Sequence, residues 1–245
     1  MLAVIGAMEE EVRLLAAEME VSDEATHAGI AVRRGHYRGV EIALAQCGVG
    51  KVNAAVCTQM LIDLYRPEAV VFSGVAGGLL PNMAVGDIVV ASHLIQYDVD
   101  ITAFGRRPGE LPGQDRMIES DPDLVQRATD AFDRAFKDDD EAPNLMLGTV
   151  VSGDSFIQDT DKLRWLQREF AAVATEMEGA ALGYTCQLNQ LPFVVIRGLS
   201  DTAGEDASAD FEANLSRVCR NCYRLMAELI PDAGAPTPRL ATSAN

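Results

Sequence analysis

The sequence predicts an α/β fold, on three observations. Short runs rich in valine and isoleucine alternate with helix-periodic stretches along the chain. Hydrophobic residues make up 48% of the 245 positions against 23% charged, enough to build a sizeable core in one large domain or two small ones. Five of the strand-like runs end in small or acidic residues, and open α/β sheets bind their ligands outside those carboxyl ends.

In chain order, strands are expected at residues 2–5, 30–37, 40–46, 69–73, 88–94, 145–151, 172–175 and 193–199. The second and third are joined by Arg38-Gly39, a tight hairpin signal. Helices are expected at 8–19, 51–64, 122–136, 161–168, 179–188 and 211–230. The last is the clearest, with Phe211, Leu215, Val218, Cys222, Leu225 and Leu229 recurring every three or four residues. Residues after Pro231 are small and polar and read as a frayed, flexible tail over 231–245. Residues 95–120 show no periodicity, and an aperiodic stretch that long in a compact domain usually serves function or an interface.

Composition narrows the function. Acids outnumber bases 37 to 20, a formal charge of −17 that repels phosphate backbones and argues against nucleic acid as a partner. No run approaches the ~20 apolar residues of a membrane span. The start, Leu2-Ala3-Val4-Ile5 turning acidic at Glu9, lacks the basic region of a signal peptide. Five cysteines without an export signal fit a reducing cytoplasm. Cys219 and Cys222 lie inside the last helical pattern and read as core, not as a redox pair. His27, His36 and His93 share no metal-ligand spacing with cysteines, so no metal site is expected. No phosphate-binding P-loop or dinucleotide fingerprint occurs.

The carboxylates carry the chemistry. On a helical wheel Met8, Val12, Leu15 and Met19 form the buried stripe of the first helix. Glu9 and Glu10 point away from that stripe, while Glu11 sits on its flank. Glu176 and Glu178 are enclosed by apolar sequence and are costly there unless paired or used. Helix capping explains one of them more easily than both. Asp201 directly follows one of the most strand-like runs in the chain. Several carboxylates at one sheet edge, without a metal-ligand set, point to acid–base hydrolysis of a polar substrate.

Gly6-Ala7-Met8-Glu9-Glu10-Glu11, Val75-Ala76-Gly77-Gly78-Leu79, Val85-Gly86-Asp87-Ile88-Val89, Thr102-Ala103-Phe104-Gly105, Ser152-Gly153-Asp154-Ser155-Phe156-Ile157, Glu176-Met177-Glu178 and Ser200-Asp201 occur in that order. With these motifs the chain resembles the bacterial 5′-methylthioadenosine/S-adenosylhomocysteine nucleosidases of the nucleoside phosphorylase superfamily, over about residues 2–230. The resemblance implies one catalytic domain at 1–230, with a twisted central mixed β-sheet flanked by helices. It implies a cytoplasmic enzyme of methionine salvage that cleaves an N-glycosidic bond without a cofactor. By resemblance, Glu11 activates the attacking water, and Asp201, oriented by Ser200, protonates adenine at N7. Glu178 and the Met177 backbone hold the ribose hydroxyls, with Glu176, Ala76 and Gly77 also at the substrate. Phe156 stacks on adenine, the Ile157 backbone meets the base edge, Arg197 lies near the water and the carboxylates, and Phe211 forms an apolar wall. Ile101, Phe104 and Pro112 match residues that cover the alkylthio group of the neighbouring subunit's substrate, which implies a homodimer.

One position departs from the family. Val75 stands where a hydroxyl residue usually precedes Ala-Gly-Gly, which bears on the water network and the substrate range. A futalosine-type nucleosidase is therefore one alternative. A purine nucleoside phosphorylase is another, although a carboxylate about 4 Å from phosphate would be repelled by roughly 4 kcal/mol at an effective dielectric near 20. A catalytically silent nucleoside-binding protein would be marked by loss of an acid or base, and Glu11, Glu178 and Asp201 are all present. An aspartate ordinarily titrates near ~3.9, so protonation of Asp201 near neutrality would require burial or a shared proton.

Overall fold

The computed structural model describes residues 1–202 and 207–234. Along the described chain run β1 (Leu2–Gly6), α1 (Glu9–Glu18), β2 (Glu20–His27), β3 (Ile30–Tyr37), β4 (Val40–Gln46), α2 (Lys51–Tyr65), β5 (Ala69–Gly78) and β6 (Ile88–Gln96). They are followed by β7 (Ile118–Glu119), α3 (Pro122–Phe136), β8 (Leu145–Ser152), α4 (Thr160–Phe170), β9 (Ala172–Glu176), α5 (Gly179–Leu188), β10 (Phe193–Asp201) and α6 (Ala207–Ala233).

The sheet is mixed. β1 lies parallel to β4 and β5, and β10 lies parallel to β5 and antiparallel to β6. β6, β8 and β9 follow in parallel, and the end of β9 returns antiparallel to β5. The path β5–β10–β6–β8–β9 thus closes on itself, a closure the sequence did not foretell. β4, β3 and β2 extend the sheet as an antiparallel flap.

Alternation along the central strands explains why both faces are covered. Ala3, Ile5, Val70, Phe72 and Val195 enter one core with Ala54, Cys57 and Leu61 of α2 and Leu182 of α5. Their neighbours Leu2, Val4, Val71, Val194 and Ile196 face the other core with Leu15 of α1, Ala128 of α3 and Leu225 and Leu229 of α6. Side chains two apart share a face, so strands apolar at every position must be buried on both sides. The Arg38-Gly39 hairpin has φ of 46° and 82°, the two positive values a type I′ turn requires.

Three expectations need correction. β2 went unread because Glu20–His27 is an edge strand with scarcely any burial, so no apolar alternation marks it. β5 continues past residue 73 through the Gly-rich run to Gly78, because those glycines pair with β9 and β10. The tail expected from 231 is helical to Ala233, with Pro231 inside α6. Proline offers no N–H to the carbonyl four residues back, and Arg38 Nη1 donates to that Ala227 oxygen instead, at 2.9 Å. The rest of the expected tail, 235–245, lies outside the described residues. The 95–120 stretch contains β7 and a 3₁₀ turn at Thr102–Phe104. Among the described residues, no helix is long and apolar enough to cross a membrane.

Candidate active site

The carboxyl ends of β1, β5 and β10, the end of β9 and the segment after β8 converge on one pocket of about 170 Å³. Glu11, Glu178, Asp201, Ser200, Met177, Glu176, Ala76, Gly77, Phe156 and Phe211 all line it. Ile157 lines its inner continuation with Ser155 and Thr175. Arg197 is 1% exposed and stands behind the carboxylates. Ile101, Phe104 and Pro112 do not line the pocket of their own chain, and Phe104 is 84% exposed.

Glu11 is fixed by backbone. Its Oε2 accepts from the N–H groups of Ala7 (2.6 Å) and Met8 (2.9 Å), and its Oε1 accepts from Val75 N–H (3.0 Å). The helix-start acid is thus folded back onto the strand–helix turn rather than turned to solvent. Burial raises its carboxyl above the usual range, while Arg197 and these N–H groups pull it down. The contact at Val75 uses the main chain, so the missing hydroxyl does not disturb it. Gly74 is needed beside it, because a Cβ there would lie 2.7 Å from Glu11 Oε1 and 2.6 Å from Arg197 Nη1.

Glu176 caps the start of α5. Its Oε2 accepts from Glu178 N–H (3.0 Å), Gly179 N–H (2.7 Å) and Arg197 Nη2 (2.6 Å). Its Oε1 accepts from the Ser152 hydroxyl, which in turn accepts from Ala180 N–H at 2.7 Å. The Arg197 guanidinium also stacks on Phe72, 4.0 Å from the ring centre. A buried pair so fully hydrogen-bonded holds the shape of the site. Glu176 lines the pocket as expected, with its oxygens engaged by Ser152, Arg197 and the backbone at the start of α5.

Glu178 is left for the pocket. Its Oε1 accepts from Gly50 N–H at 2.8 Å, and Arg197 Nη2 lies 3.8 Å from its Oε2. Burial, then the negative charge of Glu176, push its carboxyl up to about 8. Asp201 is 2% exposed, accepts from the Ser200 hydroxyl at 2.8 Å and pairs across the sheet with Gly77. Phe156 and Phe211 meet edge to face, centroids 6.0 Å apart, at the apolar side of the pocket.

Sequence reading missed three lining positions that matter. Met8 and Val49 add apolar wall. Thr175 contributes a buried hydroxyl with no hydrogen-bond partner among the described residues, where an unsatisfied buried polar group costs about 1–3 kcal/mol. A threonine in a strand is ordinary, so nothing in the sequence marked it. Among the described residues, no cluster of three or more histidine, cysteine or acidic side chains could hold a metal ion.

Fold and pocket together define a member of the phosphorylase superfamily, and the family model of that description matches residues 1–231. The chain belongs to that superfamily, among its 5′-methylthioadenosine/S-adenosylhomocysteine nucleosidases. It is 38% identical over 229 residues to the protein of that name from Geobacillus kaustophilus, covering 93% of this chain and 95% of the relative. The Neisseria meningitidis nucleosidase, solved with methylthio-immucillin-A, superposes with a TM-score of 0.89 at 36% identity, covering 94% of this chain and 98% of that one. Futalosine hydrolase of Helicobacter pylori superposes with a TM-score of 0.88 at 31% identity, covering 94% and 97%.

Proposed function

We propose that this protein hydrolyses the N-glycosidic bond of 5′-methylthioadenosine and S-adenosylhomocysteine, releasing adenine and a 5-thio-substituted ribose. One observation carries the reading. Glu11, Glu178 and Asp201 border a single pocket with apolar walls, and its described lining includes no lysine, arginine or histidine. Arg197, the nearest cation, is committed to Glu176. Such a pocket suits a neutral nucleoside and water and disfavours phosphate, so hydrolysis is preferred over phosphorolysis.

Asp201 delivers its proton to N7 as the electron pair of the C1′–N9 bond passes to the base, and adenine departs neutral. Positive charge builds on the ribose. Glu178 beside it stabilises the transition state more than the substrate, and the same cation draws its raised carboxyl back to the ionised form. Water adds to C1′ and yields a proton to Glu11, which burial makes a better base near neutrality. The proton lost by Asp201 is restored through solvent.

Exposed Phe104 and Pro112, together with Val49, Val52 and Val56 at 48%, 72% and 45% exposure, support a homodimer in which Ile101, Phe104 and Pro112 cover the partner's pocket. A fully active monomer in sedimentation at assay concentration would contradict that. Five buried free thiols support a reducing, cytoplasmic setting. The two products suit methionine salvage and removal of a methyl-transfer by-product. A second reading, a futalosine-type substrate, is supported by the Helicobacter pylori likeness and by Val75. Base release from methylthioadenosine, S-adenosylhomocysteine, futalosine and inosine separates the two. Turnover of both thioether nucleosides is expected, and turnover of futalosine alone would overturn the reading.

A further inference from the structure

The geometry points to Thr175 as a further specificity-determining residue, its hydroxyl donating to N3 of the bound purine. The inference rests on the nucleosidase reading above and deepens it at the base.

Three residues form one row across the sheet. Asp201 of β10 pairs with Gly77 of β5, and Gly77 pairs on its other side with Thr175 of β9. All three line both the main pocket and its inner continuation. Adjacent strands stand about 4.8 Å apart, so the outer two backbones are separated by roughly 9.5 Å. Glycine between them places no side chain in the gap, which leaves room for a flat ring. Purine N7 and N3 flank N9 from opposite sides. With Asp201 at N7, the ring atom facing the other end of the row is N3. Met177 and Glu178, which follow Thr175 on the same chain segment, lie on the ribose side, where N3 also faces.

The hydroxyl has the right chemistry for this task. Thr175 is 8% exposed, and its Oγ1 finds no partner among the described residues. The oxygen is covered as it stands, so reaching the ligand requires a χ1 rotation between staggered positions. N3 only accepts a hydrogen bond, and a hydroxyl can donate one. A base carrying C–H at position 3 would leave the hydroxyl unpaired again.

The test pairs a side-chain change with a one-atom change in the base. Methylthioadenosine and its 3-deaza analogue are compared in the wild type and in Thr175→Val, which keeps the shape and removes the hydroxyl. The kcat/KM ratio of the two substrates is expected to fall about tenfold from wild type to variant, a coupling of about 1.4 kcal/mol. An equal ratio in both proteins overturns the inference, and equal losses on both substrates with a lowered Tm would assign Thr175 to packing. Calorimetry on the wild type alone, with free adenine and 3-deazaadenine, serves if the variant does not fold. Adenine is expected to bind about tenfold tighter, and equal affinity contradicts the proposal. Failure of the nucleosidase reading is distinct, because the wild type would then release no adenine from methylthioadenosine.

Discussion

Replacing Glu178 by glutamine exposes what its burial costs the fold. The glutamine keeps an oxygen for Gly50 N–H and removes a charge that faces Glu176. Glu178 is 6% exposed, and its carboxyl is pushed from 4.5 up to about 8. A proton held more tightly in the folded than in the unfolded chain favours folding at low pH, and that advantage is lost as pH rises from about 4.5 through about 8. Three and a half pH units at ~1.4 kcal/mol each set a ceiling of about 5 kcal/mol for the loss. Glutamine has no such titration, so Glu178→Gln should gain on the wild type as pH rises. Urea unfolding of both proteins at about pH 5 and pH 9, at equal protein concentration because oligomer stability depends on it, reads the difference directly. The variant's advantage should be several kcal/mol larger at the higher pH. A difference in unfolding free energy that does not change between the two would refute the idea that burial, and then the like charge of Glu176, raise this carboxyl.

Asp201→Asn should lower kcat by about 10²–10⁴-fold with KM little changed, because the proton is needed in the transition state. A ribosyl nitrophenolate, whose leaving group needs no proton, should remain a substrate of that variant. Equal losses on both substrates would make Asp201 a structural residue. Glu11→Gln should abolish hydrolysis while calorimetry shows substrate still bound, and turnover within tenfold of wild type would return Glu11 to an ordinary helix-start acid. Arg38→Ala should cost about 1 kcal/mol in chemical denaturation, and less when Pro231→Ala restores the N–H that Ala227 lacks. Additive losses would show that Arg38 does not compensate for the proline.

Much of the fold was legible because it is written in burial. The continuous apolar run of β10 and the stripe of α6 both mark surfaces that helices or strands must cover. β2 carries no such mark, since an exposed edge strand is selected for charge rather than apolar alternation. The end of β5 looked like a loop because Val75-Ala76-Gly77-Gly78 reads as flexible in isolation, and only its neighbours on β9 and β10 make it a strand. At the site, positions for the carboxylates could be proposed from sequence, while the division of labour between two of them could not. Glu176 and Glu178 are two residues apart and both line the pocket, yet the oxygens of the first are held by Arg197, Ser152 and the start of α5, whereas the second accepts from Gly50 N–H. That difference arises from Arg197, which comes from a distant strand. Thr175 was hidden for the same reason, because an unsatisfied hydroxyl is a property of its surroundings.

The identity of the nucleophile separates hydrolysis from phosphorolysis. Purified protein given methylthioadenosine, with and without inorganic phosphate, can be scored by chromatography for adenine and for the sugar product. A pocket lined by four carboxylates, with Arg197 already paired, predicts free methylthioribose at the same rate in both conditions. Adenine release that depends on phosphate and yields the sugar 1-phosphate would contradict it.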